Sequence, residues 1–353
     1  GVSFSNVLTT VNGTLLINSG KLVVINPTKR LTVNGTITNN AGSAGLVIQS
    51  DATGTGSLIA NSSVVNATVE RYITGNRWHF ISSPVSGAVS GMFAGKYLQK
   101  FDEPTNTYSD ITTLTEPLVP LKGFSLWGDA AGFTSQFTGT LNTGNISQNL
   151  TRSVSPGEGW NLVGNPYPCA IDWDAAGWTK TNINNAIYIE RNGSWATYIS
   201  GVGTLGGTQY IATGQGFMVN VATNPGTLGI SDAAKLHRPT TTYFKNTNSG
   251  SLVRLEVSGN DFTDEAIVRF MPEATTEFDG QYDAHKLFGY IDESAQIYTL
   301  GSTPLTINST VPGTREIPMG IRANTAGTYT IAATELAEMP VLTLEDSKTG
   351  IFT

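Results

Sequence analysis

The residues with chemical potential are few and scattered. His79, His237 and His285 share no metal-ligand spacing, and no H-E-x-x-H, G-x-S-x-G or P-loop pattern occurs. Cys169 is the one cysteine, so neither an intrachain disulfide nor a cysteine-built zinc site can form. A single thiol in such a chain reads as a small buried apolar residue before it reads as a nucleophile. Asp172 and Asp174 flank Trp173. A glycosidase needs two carboxylates facing each other across a cleft, whereas these come from one short loop, where Asp172 reads as a cap. The richest oxygen cluster is Asp261, Asp264, Glu265, Asp279 and Asp283. Calcium takes about six to eight oxygens from flexible loops, so this group is a candidate calcium site, with solvated loop carboxylates as the alternative. No other cofactor is indicated. Among the aromatics, Trp173, Trp178 and Trp195 stand in polar loop contexts and are the candidates for stacking on a glycan. Packing inside the core or between domains is the competing role.

The composition narrows the classes of function. The chain has 353 residues, and charged residues make up 13%, against roughly 25% in ordinary soluble domains. Its formal net charge is −7 and it has no basic run, which argues against nucleic acid. No apolar stretch is long enough to span a membrane as a helix. Thr suits pleated, half-buried surfaces, and Asn and Gly supply turns, so the chain reads as an extracellular β protein.

The elements that must hold these residues fall into three stretches. Over 1–69, short apolar runs such as Leu22-Val23-Val24-Ile25 and Leu46-Val47-Ile48 are separated by Asn/Gly/Ser turns, among them Asn12-Gly13 and Asn34-Gly35. No run is long enough for a helix, and the spacing predicts β-solenoid-like coils, with a meander or half-sandwich as the alternative. Over 70–240 a pattern occurs twice: Trp78-His79-Phe80-Ile81-Ser82-Ser83-Pro84 and Trp160-Asn161-Leu162-Val163-Gly164-Asn165-Pro166. A Gly-Phe element follows each copy, at Gly123-Phe124 and Gly216-Phe217. The pattern predicts two equivalent β units, each with a buried Trp opening a strand and a Pro ending it. Over 241–353 the alternation of Leu252–Val257 and Ala266–Phe270 predicts an antiparallel β-sandwich, and Ala333 to Met339 reads as one helical turn. Glu345 to Gly350 reads as a turn leading into a last strand from Ile351, which would leave an edge open to strand addition by a further segment or a partner. The expectation is that the natural polypeptide continues.

Several of these stretches resemble large cell-surface and adhesin-type proteins of Bacteroidetes, substrates of type IX secretion, in the region before their sorting domain. The resemblance rests on Gly159-Trp160-Asn161-Leu162-Val163-Gly164-Asn165-Pro166-Tyr167-Pro168, Ile171-Asp172-Trp173 and Gly214-Gln215-Gly216-Phe217. Asp264-Glu265-Ala266-Ile267-Val268-Arg269-Phe270 and Asp283-Ala284-His285-Lys286-Leu287 add to it. It implies an all-β, non-enzymatic segment at the cell surface, of the kind found in adhesins, gliding-motility proteins and tails of secreted hydrolases. Its partners would be other surface or envelope proteins. The alternatives are a carbohydrate-binding accessory module and a noncatalytic hydrolase tail.

Overall fold

Strands of three or four residues cannot stand alone, so the N-terminal runs are stable only where each lies on the next. In a computed structural model, which describes residues 1–4, 6–60, 64–191, 193–238, 251–314, 316–338 and 342–352, they do so in parallel. Val2–Phe4 pairs with Val23–Ile25, and Val23–Ile25 pairs with Leu46–Ile48. A second ladder joins Leu8–Val11, Arg30–Val33 and Ser57–Ala60. A third joins Leu15–Ile17 to Ile37–Asn39. The inward positions Ile25, Leu31, Leu46, Ile48 and Leu58 are almost fully buried.

Polar side chains stack along the same direction. Asn34 Nδ2 donates to Asn12 Oδ1 at 2.8 Å, and the Thr14 and Thr36 hydroxyls lie 3.0 Å apart; each pair is 22 residues apart in sequence. The Asn-Gly dipeptides read as turns are therefore also stacked layers. Gly35 lies so close to the Gly13 backbone that a Cβ there would overlap it, whereas a Cβ on Gly13 would meet nothing within 4 Å.

By internal contacts the chain divides into two compact units: Gly1–Asn192 with Thr208–Tyr243, and Gly193–Gly207 with Phe244–Thr353. The sequence-based boundary after residue 69 falls inside the strand Asn66–Ile73. The boundary at 240/241 lies outside the described residues. Asn66–Ile73 pairs in parallel with Leu46–Ile48 on one side, at Thr68↔Val47 and Val69↔Ile48. On the other side it runs antiparallel to Phe133–Leu141 along its whole length, from Asn66↔Thr140 to Ile73↔Phe133. One hydrogen-bonded sheet thus continues from Val2–Phe4 to Val85–Ser86.

The two Trp-Pro copies make the same pairing. Arg77–Ile81 runs antiparallel to Phe124–Gly128, with Ile81 opposite Phe124. Trp160–Gly164 runs antiparallel to Gly216–Asn220, with Val163 opposite Phe217. In each copy a third strand, Leu98–Asp102 or Ile187–Arg191, pairs with the far side of the Gly-Phe strand. The copies meet reciprocally through bridges between Ile81 and Gln215 and between Lys122 and Val163. At one of these meetings a Cβ on Gly216 would come within 2.9 Å of the Phe80 Cβ, which is why glycine precedes the phenylalanine.

The second unit is built on a mixed sheet. Its strands run in the order Met319–Arg322, Gln296–Leu300, Pro304–Thr310, Phe262–Phe270, Ser251–Gly259 and Thr330–Ala337. Phe262–Phe270 pairs in parallel with Pro304–Thr310, a crossover that the long connection between them permits; the other ladders are antiparallel. The helical turn expected at Ala333 to Met339 is instead strand through Ala337, paired with Ser251–Gly259. Tertiary pairing outweighs the local Ala/Glu preference for helix there; Met339 lies outside the described residues. Among the described residues no α-helix forms. Ile351–Phe352 pairs antiparallel with Glu345–Asp346.

Two outcomes follow for the first unit. Gly35→Ala should lower stability in denaturant unfolding by about 1–3 kcal/mol through overpacking, while Gly13→Ala changes it by no more than about 0.5 kcal/mol. Equal effects of the two would contradict the stacked-layer geometry. His237 bonds Thr32 Oγ1 at 2.9 Å and Ser57 Oγ at 2.8 Å. Burial, with the Arg30 charge adding to it, pushes its pKa down from 6.5 to about 4. The unfolded chain therefore takes up a proton that the folded chain refuses between those values. The stability from this group is complete above pH 6.5 and is lost as pH falls toward 4. The imidazole should titrate near 4 by NMR, and His237→Asn should flatten the fall in thermal midpoint over that window. A midpoint near the ordinary histidine value would contradict this packing.

Candidate functional site

The tryptophan-rich segment is held by its own turn. Asn165 follows the Trp160–Gly164 strand and is fully buried. Its Nδ2 donates to the carbonyls of Cys169 at 2.8 Å and Ala212 at 3.0 Å, and its Oδ1 accepts from the Tyr167 N–H. The Pro-Tyr-Pro turn is thereby locked, with Tyr167 buried, its hydroxyl on Gly144 O and Lys235 Nζ 4.5 Å from its ring centre. Cys169 is buried in the same turn, and burial pushes its thiol up to about 12, so it is no nucleophile.

Trp173 lies beyond this turn with its ring fully buried. Its Nε1 donates to Asn185 O at 2.7 Å, Phe217 and Trp178 meet it edge-on, and Lys180 Nζ stands 3.8 Å from its centre. No face of Trp173 is open to a sugar. Lys180 Nζ also donates to Trp173 O at 2.9 Å and Asn185 Oδ1 at 2.8 Å, and burial lowers its pKa to about 8 despite the opposing pull of Asp174 and Asp172. Trp178 is half-buried and donates to Asp172 O at 2.7 Å. Trp195 is half-buried and belongs to the second unit. Asp172 Oδ1 accepts the Asp174 N–H at 2.9 Å, an Asx turn that fixes the loop. An open cleft of about 310 Å³ lies elsewhere in the first unit, beside Phe93, Tyr97 and Ile111.

The five acidic residues of the second unit are separated by strand alternation. Asn260 and Asp261 form the two-residue hairpin turn, both at positive φ. Asp264 and Glu265 are neighbours in one strand and therefore point to opposite faces. Asp264 contacts Lys286 and accepts the Ile297 N–H at 2.8 Å. Glu265 accepts from Arg254 Nη1 at 2.9 Å and Leu205 N at 2.7 Å. Asp283 accepts the N–H groups of Ser309 and Asp279, and Asp279 accepts that of Gln281. Asp279 and Asp283 share one loop, but the set does not converge. Among the described residues no group of three or more His, Cys, Asp or Glu could hold a metal ion.

In the second unit the interior also holds the cations Lys286 and Arg269, which the residue spacing did not mark. Arg269 donates to Ser200 O at 2.7 Å, Ser309 Oγ and Tyr282 O. A signal was available: alternation from Ala266 and Val268 places Asp264 on an apolar face, and a carboxylate there requires a buried cation.

The model of one protein family, described as a domain of unknown function (DUF8693), matches residues 2–351. The chain belongs to this family. It is also similar to the minor fimbrium subunit Mfa5 of Porphyromonas gingivalis, at 26% identity over 213 residues, which is 52% of this chain and 17% of that protein. The chain thus spans less than a fifth of the length of that relative. No solved structure matches it.

Proposed function

We propose that the chain is a non-enzymatic, extracellular structural and adhesion segment of a larger surface or fimbrial protein. The observation that carries this reading is the sheet running without a break from Val2–Phe4 through Asn66–Ile73 to Val85–Ser86. A shared ladder of backbone hydrogen bonds resists separation of the stacked layers from the region that follows, as a stem or spacer requires. The similarity to a fimbrium subunit supports the same reading. In finer terms, residues 1–69 act as a solenoid-like stem, 70–240 as a duplicated β region and 241–353 as a sandwich. Export is by type IX secretion, and a surface or envelope partner adds a strand beside Ile351–Phe352. A second reading, a carbohydrate-binding accessory module, is favoured only by the half-buried Trp178 and Trp195.

Antibodies against this chain should label intact cells that make the full-length protein, and externally added protease should abolish that labelling. Labelling that requires permeabilised cells, with the antigen protected from protease, would contradict the proposal.

A further inference from the structure

Asp264 stands where the sequence pattern calls for an apolar residue. It lies opposite Val257 and shares its side of the Phe262–Phe270 strand with Ala266 and Val268. Val257, Ala266, Ala295 and Ile297 form an apolar cluster on this side. Lys286, one residue past the short strand Ala284–His285, sends its Nζ onto Asp264 Oδ2. The Asp264 side chain is 1% exposed and that of Lys286 4%. A second donor, the Ile297 N–H, reaches the same carboxylate oxygen at 2.8 Å.

An ion pair in such a place is a poor stabiliser, because desolvating both charges offsets most of their attraction. Burial pushes the Asp264 carboxyl up and the Lys286 ammonium down, both toward their neutral forms. A neutral amine is a nucleophile, and a neutral carboxylic acid has a hydroxyl that can leave as water. Holding the two in contact replaces a bimolecular encounter with an intramolecular one.

We propose that Lys286 and Asp264 become joined by an intramolecular isopeptide bond. A proton passes from the Lys286 ammonium to the Asp264 carboxylate. The Nζ lone pair then attacks Cγ, and the Ile297 N–H stabilises the negative charge that gathers on Oδ2. The bond from Cγ to Oδ1 breaks, and that oxygen leaves as water, carrying one proton from the acid and one from the nitrogen. The product is a neutral secondary amide and one water, with nothing oxidised or reduced. Two charges vanish from an apolar interior, and water is released from it. The new bond closes a loop between residues 22 apart in sequence, so tension applied along the chain cannot extend that segment.

Intact-mass spectrometry of the full chain under denaturing conditions tests this directly. The purified protein should weigh one water less than its sequence. Trypsin should fail to cut after Lys286 and should yield one branched peptide containing Asp264 and Lys286. Asp264→Ala and Lys286→Met should each restore the full sequence mass. The wild-type chain decides the matter even if neither variant folds. A soluble wild-type protein of full sequence mass with normal cleavage after Lys286 overturns the proposal, and so does a water loss that maps to another site.

Discussion

The strand Asn66–Ile73 is the constraint on which the first unit depends. One edge of it is committed to the parallel ladder and the other to the antiparallel strand Phe133–Leu141. A register slip of one residue would turn Ala67, Val69 and Ile73 away from the core in which they are buried. Both neighbouring architectures are therefore set by one strand. The polar ladders Asn12–Asn34 and Thr14–Thr36 add local specificity to the layers that lead to it.

Most groups that could have done chemistry are used to hold the chain together. Asn165 ties three carbonyls of its own turn and the strand beyond, Lys180 braces Trp173, and Asp264, Glu265, Asp279 and Asp283 accept backbone N–H groups, with Asp264 and Glu265 also pairing with Lys286 and Arg254.

The all-β character could be read from alternation and turn residues, and so could the equivalence of the two Trp-Pro copies. Leu252–Val257 and Ala266–Phe270 fall within paired strands, and each copy's Trp strand pairs with its own Gly-Phe strand. The surroundings of the candidate site residues were not legible in the same way, because sequence proximity is not spatial convergence. Trp173 stands among polar residues in the chain, yet Lys180 and Asn185 are folded against it as internal partners. Asp264 and Glu265 adjoin in sequence and diverge in space. The helical turn at Ala333 failed because the edge of Ser251–Gly259 offered that segment a ladder that local preference could not foresee.

The central claim is that the stacked layers and the antiparallel region behind them form one cooperative sheet. Native-state hydrogen exchange resolved to single amides measures this most directly. The account predicts that the amides of Val23–Ile25, Leu46–Ile48, Asn66–Ile73 and Phe133–Leu141 that donate within the sheet open together, with one free energy and one denaturant dependence. Early exchange of Asn66–Ile73, while the layers on one side and Phe133–Leu141 on the other stay protected with separate energies, would contradict it.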